Sequence, residues 1–268
     1  MSDNPDPFKE TIKEIARNKK EAIEAHEALR RSPNYIAALK RAETLAYDYA
    51  FGLNAVSMMS TRSSIFGKAR LSIRVLDLLL ESAVSTLGLI RDGMLNPARR
   101  EMRFLFEASI KAWWCDSVDP DGVVESKIDF LDDLGSARFR EVAETLRPRL
   151  LGEPLREQLL QIITSLYAGL STHVHASTGG IGVNVRRFSK GEYIGFETVA
   201  DVHRLNDLFA QVLDISLAAV FESFDAGLLG DIFVQVFDNK SKWAFHRTPL
   251  VKSISAYYDY KSERQHQS

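Results

Sequence analysis

Residues 73–92 read IRVLDLLLESAVSTLGLIRD, the most apolar stretch of the chain. Leu76, Leu79, Leu80, Ala83 and Leu87 recur three or four residues apart, which predicts a helix with one buried side. Asp77 and Glu81 interrupt the run. It therefore lacks the uncharged stretch of about 18 residues that a membrane span needs. The helix belongs in a protein core, and its length sets an α-helical scale for what surrounds it.

The same period continues on both sides. Residues 8–31 carry dense charge of both signs, which suits a solvated helix with i,i+4 ion pairs. Pro33 opens a second helix, NYIAALKRAETLAYDYAFGLNAVSMM, with one broad apolar face. STRSSIFGK, at 60–68, reads as a loop, and the core helix is expected from about 69 to 92. Asn96 and Pro97 suit an N-cap and a first helical position, starting a helix that runs to about Cys115. SVDPDGVVESKI, at 117–128, has the outline of a calcium loop. It begins on Ser117 and ends on Ile128, where such a loop requires a bidentate glutamate, so it is read as a turn and a cap. Two short helices fill 123–150. In EPLREQLLQIITSLYAGLSTHVH, at 153–175, Leu155, Leu159, Ile162, Ile163, Leu166 and Leu170 form one stripe. A long helix is expected at about 197–225.

Between the last two helices the pattern changes. IGVNVRRF, SKGE and YIGF, together 181–196, alternate around a glycine-containing turn and predict a short β-hairpin. A two-stranded ribbon is marginal in water. Val183, Val185, Phe188, Tyr193 and Phe196 thus need cover from the chain's own helices or from a second subunit, and a homodimer is expected. GGIG, at 179–182, lacks the Lys-Ser/Thr of a P-loop and the preceding strand of a dinucleotide fingerprint, and reads as the entry to the hairpin. The fold class is mainly α, a helical bundle with one short β-hairpin near 181–196. The expected organisation is N-terminal helices over 1–66, a bundle core with the hairpin insertion over 67–239, and a basic, aromatic segment over 240–268, in one compact domain.

Composition narrows the functions. The chain has 268 residues, 45% hydrophobic and 26% charged, with a net charge of −2, so no global basic field advertises nucleic acid. Locally, 240–268 holds six Lys or Arg against two acids, with aromatic residues among them, and is a candidate surface for a protein or nucleic-acid partner. The single cysteine, Cys115, allows no internal disulfide and fits a reducing compartment. The opening MSDNPDPFKE has no apolar signal region. A cytoplasmic location without membrane contact is expected.

Two polar stripes carry the candidate chemistry. Tyr167, Ser171 and His175, at i, i+4 and i+8, border the apolar face of their helix. Arg100, Arg103 and Glu107 lie along one face of the helix that starts near Asn96. If the stripes meet, Arg100, Arg103 and Tyr167 become ligand-binding residues, and Ser171, His175 and Glu107 become catalytic candidates. His173 and His175 stand about 200° apart on a helix and cannot share one ion, so no metal and no other cofactor is expected.

GLIRDGMLNPARREMRFLFEASIKAWW, followed at a distance by LYAGLSTHVHAS, resembles a family of uncharacterised bacterial all-helical proteins. Their pattern is a glycine in a helix-end turn, then an Arg and a Glu on a helix, then a Tyr/Leu-Ser…His-Ser segment. Such proteins are similar in turn to the higher-eukaryote-and-prokaryote nucleotide-binding superfamily, whose nucleases use an Arg and a His separated by four to six residues on one helix. Here the corresponding positions before His175 hold Ala168, Gly169 and Leu170, and those before His173 hold Leu166, Tyr167 and Ala168. The resemblance therefore implies a helical scaffold, and a setting in stress response or phage defence, without the paired residues of ribonuclease chemistry. Two functions follow as expectations. One is a non-enzymatic binding or interaction protein. The other is a nucleic-acid-acting or phosphoester-cleaving enzyme using Arg, Glu, Ser and His across a groove.

Overall fold

The computed structural model describes residues 7–61, 64–134, 139–172, 181, 182, 185 and 195–258. Helices α1 (Pro7–Arg30), α2 (Pro33–Ser60), α3 (Ser64–Ala69), α4 (Leu71–Arg74), α5 (Leu76–Arg91) and α6 (Leu95–Val118) come first. Then follow α7 (Val124–Leu134), α8 (Phe139–Thr145), α9 (Glu153–Ser171) and α10 (Val199–Ser223). Last are α11 (Ala226–Ile232), a π-helical turn (Phe233–Phe237), a 3₁₀ turn (Ala244–Arg247) and α12 (Pro249–Ala256). The mainly helical expectation holds.

Four long helices make the core. α5 packs on α2 and α6, and α10 packs on the other flanks of α2 and α6. Asn206 Nδ2 donates to the Ala38 carbonyl at 2.7 Å, and the Tyr49 and Ser216 hydroxyls pair at 2.7 Å, so α2 and α10 run parallel. Gly52 lets them close up: a Cβ there would lie 2.9 Å from Leu217 Cδ2 and 3.3 Å from Trp243. α5 runs against α6 through a tight reversal. Gly93 sits at φ 72°, Gly93 N–H donates to the Ile90 carbonyl and Met94 N–H to that of Leu89, a Schellman closure. The Cα hydrogen of glycine is also needed for space, because a Cβ at position 93 would run into the Glu197 carboxylate.

The helix at 76–91 buries Leu76, Leu79, Ala83 and Leu87 as its spacing predicts, but Leu80, expected on the same side, is only partly buried. The most enclosed element is nevertheless α10: every residue from Val212 to Phe224 is buried. Its last three turns are surrounded by α2, α4, α6 and α12, so even Asp214, Ser216 and Glu222 are inside. The start of α10 carries the full reciprocal cap, Thr198 Oγ1 accepting from Asp201 N and Asp201 from Thr198 N.

Several expectations are corrected. The stretch read as a loop contains α3, and the helix expected to begin at 69 is broken at Val75 into α4 and α5. Asp116 fixes the start of α4, its carboxylate accepting from Leu71 N and Ser72 N. Helix α6 begins at Leu95 with Met94 at its N-cap, so Asn96 does not cap it; its Oδ1 instead accepts from Arg99 Nη1 at 3.0 Å. The β-hairpin over 181–196 is not seen, and no strand occurs among the described residues: Ile181, Gly182 and Val185 are helical. Ile181 and Val185 are four apart, a spacing as fit for a helical turn as for alternation, which is the ambiguity of short apolar runs. Positions 183, 184 and 186–194 lie outside the described residues. Phe196, assigned to that hairpin, stacks on His26 of α1 at 4.5 Å between ring centroids.

The C-terminal segment is core rather than periphery as far as Tyr258. Trp243, Phe245, Leu250, Val251, Ile254 and Tyr258 are buried. Trp243 stacks on Phe237 at 4.2 Å and donates Nε1–H to the Asp48 carbonyl at 2.7 Å. Part of the basic charge is used internally, since Lys240 Nζ meets Asp48 Oδ1 at 2.5 Å. Residues 259–268 lie outside the described set.

Candidate functional site

Helix α9 packs on α6 and α8, and this contact joins the two predicted polar stripes. Arg103, on α6, has a side chain only 14% exposed. Its Nε–H donates to Glu107 Oε1, one turn on, at 2.5 Å. Its Nη2 donates to the Tyr167 hydroxyl on α9 at 2.9 Å, and the guanidinium carbon lies 4.6 Å from the Tyr167 ring centroid. Tyr167 is held from behind by Phe139 of α8, stacked at 4.3 Å and 10°. Glu107 has a second cation, Lys111 Nζ, at 4.0 Å. Ser171 Oγ donates to the Tyr167 carbonyl at 2.5 Å, a back-bond within α9.

The structure thus brings Arg103, Glu107 and Tyr167 together, while Ser171 stands one turn beyond Tyr167 on α9 and bonds within its own helix. Arg100 is exposed a turn earlier on α6. The inward arginine of that turn is Arg99, whose guanidinium is held below its usual range chiefly by burial. His173 and His175 lie outside the described residues. Within the described residues no group of three His, Cys, Asp or Glu could hold a metal ion, and no helix is long and apolar enough to cross a membrane.

The chemistry available follows from how each atom is engaged. The Ser171 hydroxyl gives its proton to a carbonyl, not to a base. Glu107 is held by two cations. Arg103 spends Nε and Nη2 on Glu107 and Tyr167, and its Nη1 is buried with no acceptor among the described atoms. A buried donor without a partner costs about 1–3 kcal/mol, so this nitrogen is where an added oxygen acceptor would gain most. On the outer flanks of α9 run two grooves. One, of about 520 Å³ against α10, is lined by Gln158, Gln161, Gln211 and Ser165 over Ile162 and Leu208. The other, of about 420 Å³, lies against Arg140 of α8.

The sequence reading missed a second class of polar group, buried acids that accept backbone N–H groups from other segments. Asp214 caps α12 through Leu250 N and Val251 N, both at 3.0 Å. Glu222 takes Arg149 N, Leu150 N and Leu151 N at 2.7, 2.9 and 3.1 Å. Asp116 takes Leu71 N and Ser72 N and pairs with Lys127 Nζ at 2.9 Å. Asp48 takes Ala244 N at 2.7 Å. Glu197 differs: it accepts from the Tyr35 hydroxyl and lies 3.9 Å from Arg30, while its Oε2 has no partner among the described residues. Burial, together with that bond, pushes the Tyr35 phenol above its usual range. A visible signal existed, namely an acid inside an apolar helical run, as in VLDISLAAVFES, residues 212–223.

Cys115 is buried beside Asp116, and burial foremost, then that carboxylate, pushes its thiol up to about 12. The thiolate is the reactive form. In native protein Cys115 is expected to resist alkylation by iodoacetamide at neutral pH over hours, and to react fully in guanidinium. Rapid stoichiometric labelling of native protein would show that this end of α6 opens.

No family model matches the chain, no curated protein matches it, and no solved structure matches it.

Proposed function

We propose that this chain is a non-enzymatic binding protein that works in the bacterial cytoplasm, in stress response or phage defence. The observation that supports the reading is that, among the described residues, the Ser171 hydroxyl and the Glu107 carboxylate are both already engaged. A nucleophile needs a base to take its proton, and a base needs a free lone pair aimed at it. Ser171 donates to a main-chain carbonyl, and Glu107 is neutralised by Arg103 and Lys111. The stripe is built to hold a shape. Among the described residues Arg103 Nη1 is a buried donor of this stripe without an acceptor, and it fits an oxygen acceptor on a ligand, a carboxylate or a phosphate.

That same nitrogen favours the second reading, a phosphoester-cleaving enzyme in which Arg103 holds the phosphate. Hydrolysis separates the two. Purified protein is expected to show no turnover of single-stranded RNA, single-stranded DNA or an activated phosphodiester, and Glu107→Gln is expected to leave that blank unchanged. Tyr167→Phe keeps the stack on Phe139 and removes the acceptor of Nη2. It should lower stability by about 1 kcal/mol and weaken binding of whichever anion, inorganic phosphate or a dicarboxylate, raises the wild-type melting temperature. Turnover that disappears in Glu107→Gln, with the fold intact, would replace the binding reading by the enzymatic one.

A further inference from the structure

The groove of about 520 Å³ between α9 and α10 has a chemistry of its own. Every residue lining it is uncharged, and none is aromatic. Ile162 and Leu208 make an apolar floor, and Gln158, Gln161, Ser165 and Gln211 make polar walls. None of these four wall side chains has a hydrogen-bond partner among the described residues. A carboxamide both donates and accepts, and so does a hydroxyl, so the walls match a ligand that carries hydroxyl groups. A base would find no ring among the lining residues to stack on.

One end of the groove is charged. Tyr167, near the end of α9, meets Arg103 of α6, and Arg99, one turn earlier on α6, lies in the field of Asp201 and Arg204 at the start of α10. The end of α9 and the start of α10 thus share one end of α6, and the two helices run in opposite directions. Arg204, Leu208 and Gln211 follow one another by four and three residues on one face of α10, so Arg204 continues the groove one turn beyond Leu208. On the α9 side of this end stands Gly169, where a Cβ would meet nothing within 4 Å, so the groove is open there. Arg99 donates Nη1–H to Asn96 Oδ1 at 3.0 Å. Arg204 donates to Asp201 Oδ1, and Asp201 Oδ2 is taken by the Thr198 cap. Two guanidiniums against one carboxylate leave one net positive charge at this end.

We propose that the α9–α10 groove binds a sugar monophosphate, with its hydroxyls on the carboxamides of Gln158, Gln161 and Gln211 and its phosphate at Arg99 and Arg204. The C–H face of the sugar lies on Ile162 and Leu208, the volume is that of a small-molecule site, and the guanidinium fork matches phosphate oxygens. This site goes beyond the one at Arg103. It lies on the α10 flank of α9, whereas Tyr167 occupies the other flank, stacked on Phe139 of α8.

Calorimetric titration of the full chain tests this, with triose, pentose and hexose monophosphates, the matching unphosphorylated sugars, inorganic phosphate and a single-stranded oligonucleotide. At least one sugar monophosphate is expected to bind about tenfold tighter than both its own sugar and inorganic phosphate, since each half of the ligand adds hydrogen bonds. Arg204→Gln, at a side chain 70% exposed, should weaken that binding severalfold and leave the melting curve in place. Gln161→Ala with Gln211→Ala should remove the preference for the sugar monophosphate over inorganic phosphate. Failure of every sugar monophosphate to bind overturns the proposal. So does inorganic phosphate that binds as tightly as the sugar monophosphates, or an oligonucleotide that binds tighter than all of them. Sugar monophosphate binding that both variants leave unchanged belongs to another part of the surface and overturns it as well.

Discussion

Asp116→Ala is expected to destabilise the fold by about 3–5 kcal/mol, a large share of the stability of an ordinary domain. The Asp116 side chain is 1% exposed and that of Lys127 is 2% exposed. Asp116 Oδ1 accepts from Leu71 N at 2.8 Å and from Lys127 Nζ at 2.9 Å, and Oδ2 accepts from Ser72 N at 2.9 Å. Removing the carboxylate leaves a buried ammonium, whose remaining bond is to the Ala69 carbonyl, and two N–H groups at the start of α4. The charge dominates the loss. Losing a partner of a buried ion is far costlier than losing the whole pair, since the surviving charge keeps its desolvation penalty. The double variant Asp116→Ala with Lys127→Met should therefore be more stable than Asp116→Ala alone. Denaturant midpoints of the two proteins decide it. A single-variant loss under about 1 kcal/mol, or a double variant no better than the single, would mean that water reaches the pair and the α3–α4 corner is not closed.

This corner also shows where sequence reading works and where it stops. The stripes of α5 and α9 were legible because a 3.6-residue period is written in consecutive residues. Leu79, Ala83, Leu159, Ile163 and Leu170 are buried where the period puts them. The meeting of Arg103, Glu107 and Tyr167 was legible for a related reason, since flanks of core faces come together when helices pack. Asp116 was not, because its meaning lies in Leu71 and Ser72, more than forty residues away. Nothing near Leu71 in the sequence announces that its N–H will be capped from another helix. The helix start at Leu71 rests on that distant bond, which local periodicity does not register. The same holds for Trp243: as one aromatic in a basic tail it resembled a partner surface, but Gly52 and the Asp48 carbonyl open a place for it in the core.

Glu222→Ala is the second large loss expected, about 3–5 kcal/mol. Three successive backbone donors, Arg149 N, Leu150 N and Leu151 N, converge on one carboxylate that is 2% exposed. Each would lose its acceptor at about 1–3 kcal/mol, with part recovered as the 146–152 segment shifts towards water. Arg149 holds the same joint from the other side, its Nη2 donating to the carbonyls of Glu222 and Phe224 at 2.6 and 2.9 Å. Glu222→Gln is the sharper variant, because it keeps one oxygen for Leu150 and Leu151 and turns an amide donor towards Arg149 N. It should cost less than alanine, and it cannot titrate. Burial raises the Glu222 carboxyl above its usual value, and outweighs the three N–H bonds and the nearby Arg149 charge that lower it. A raised acid pKa in the fold means that the native state binds the proton more readily than the unfolded chain. The stabilisation from that proton is complete below the ordinary value of 4.5 and is lost as pH rises through the higher native value. The lead of wild type over Glu222→Gln should therefore be largest at acid pH and shrink towards neutrality, as read from urea midpoints of both proteins across that range. A lead that grows with pH would mean the three N–H donors outweigh burial, and that Glu222 sits in the fold as a stabilised anion.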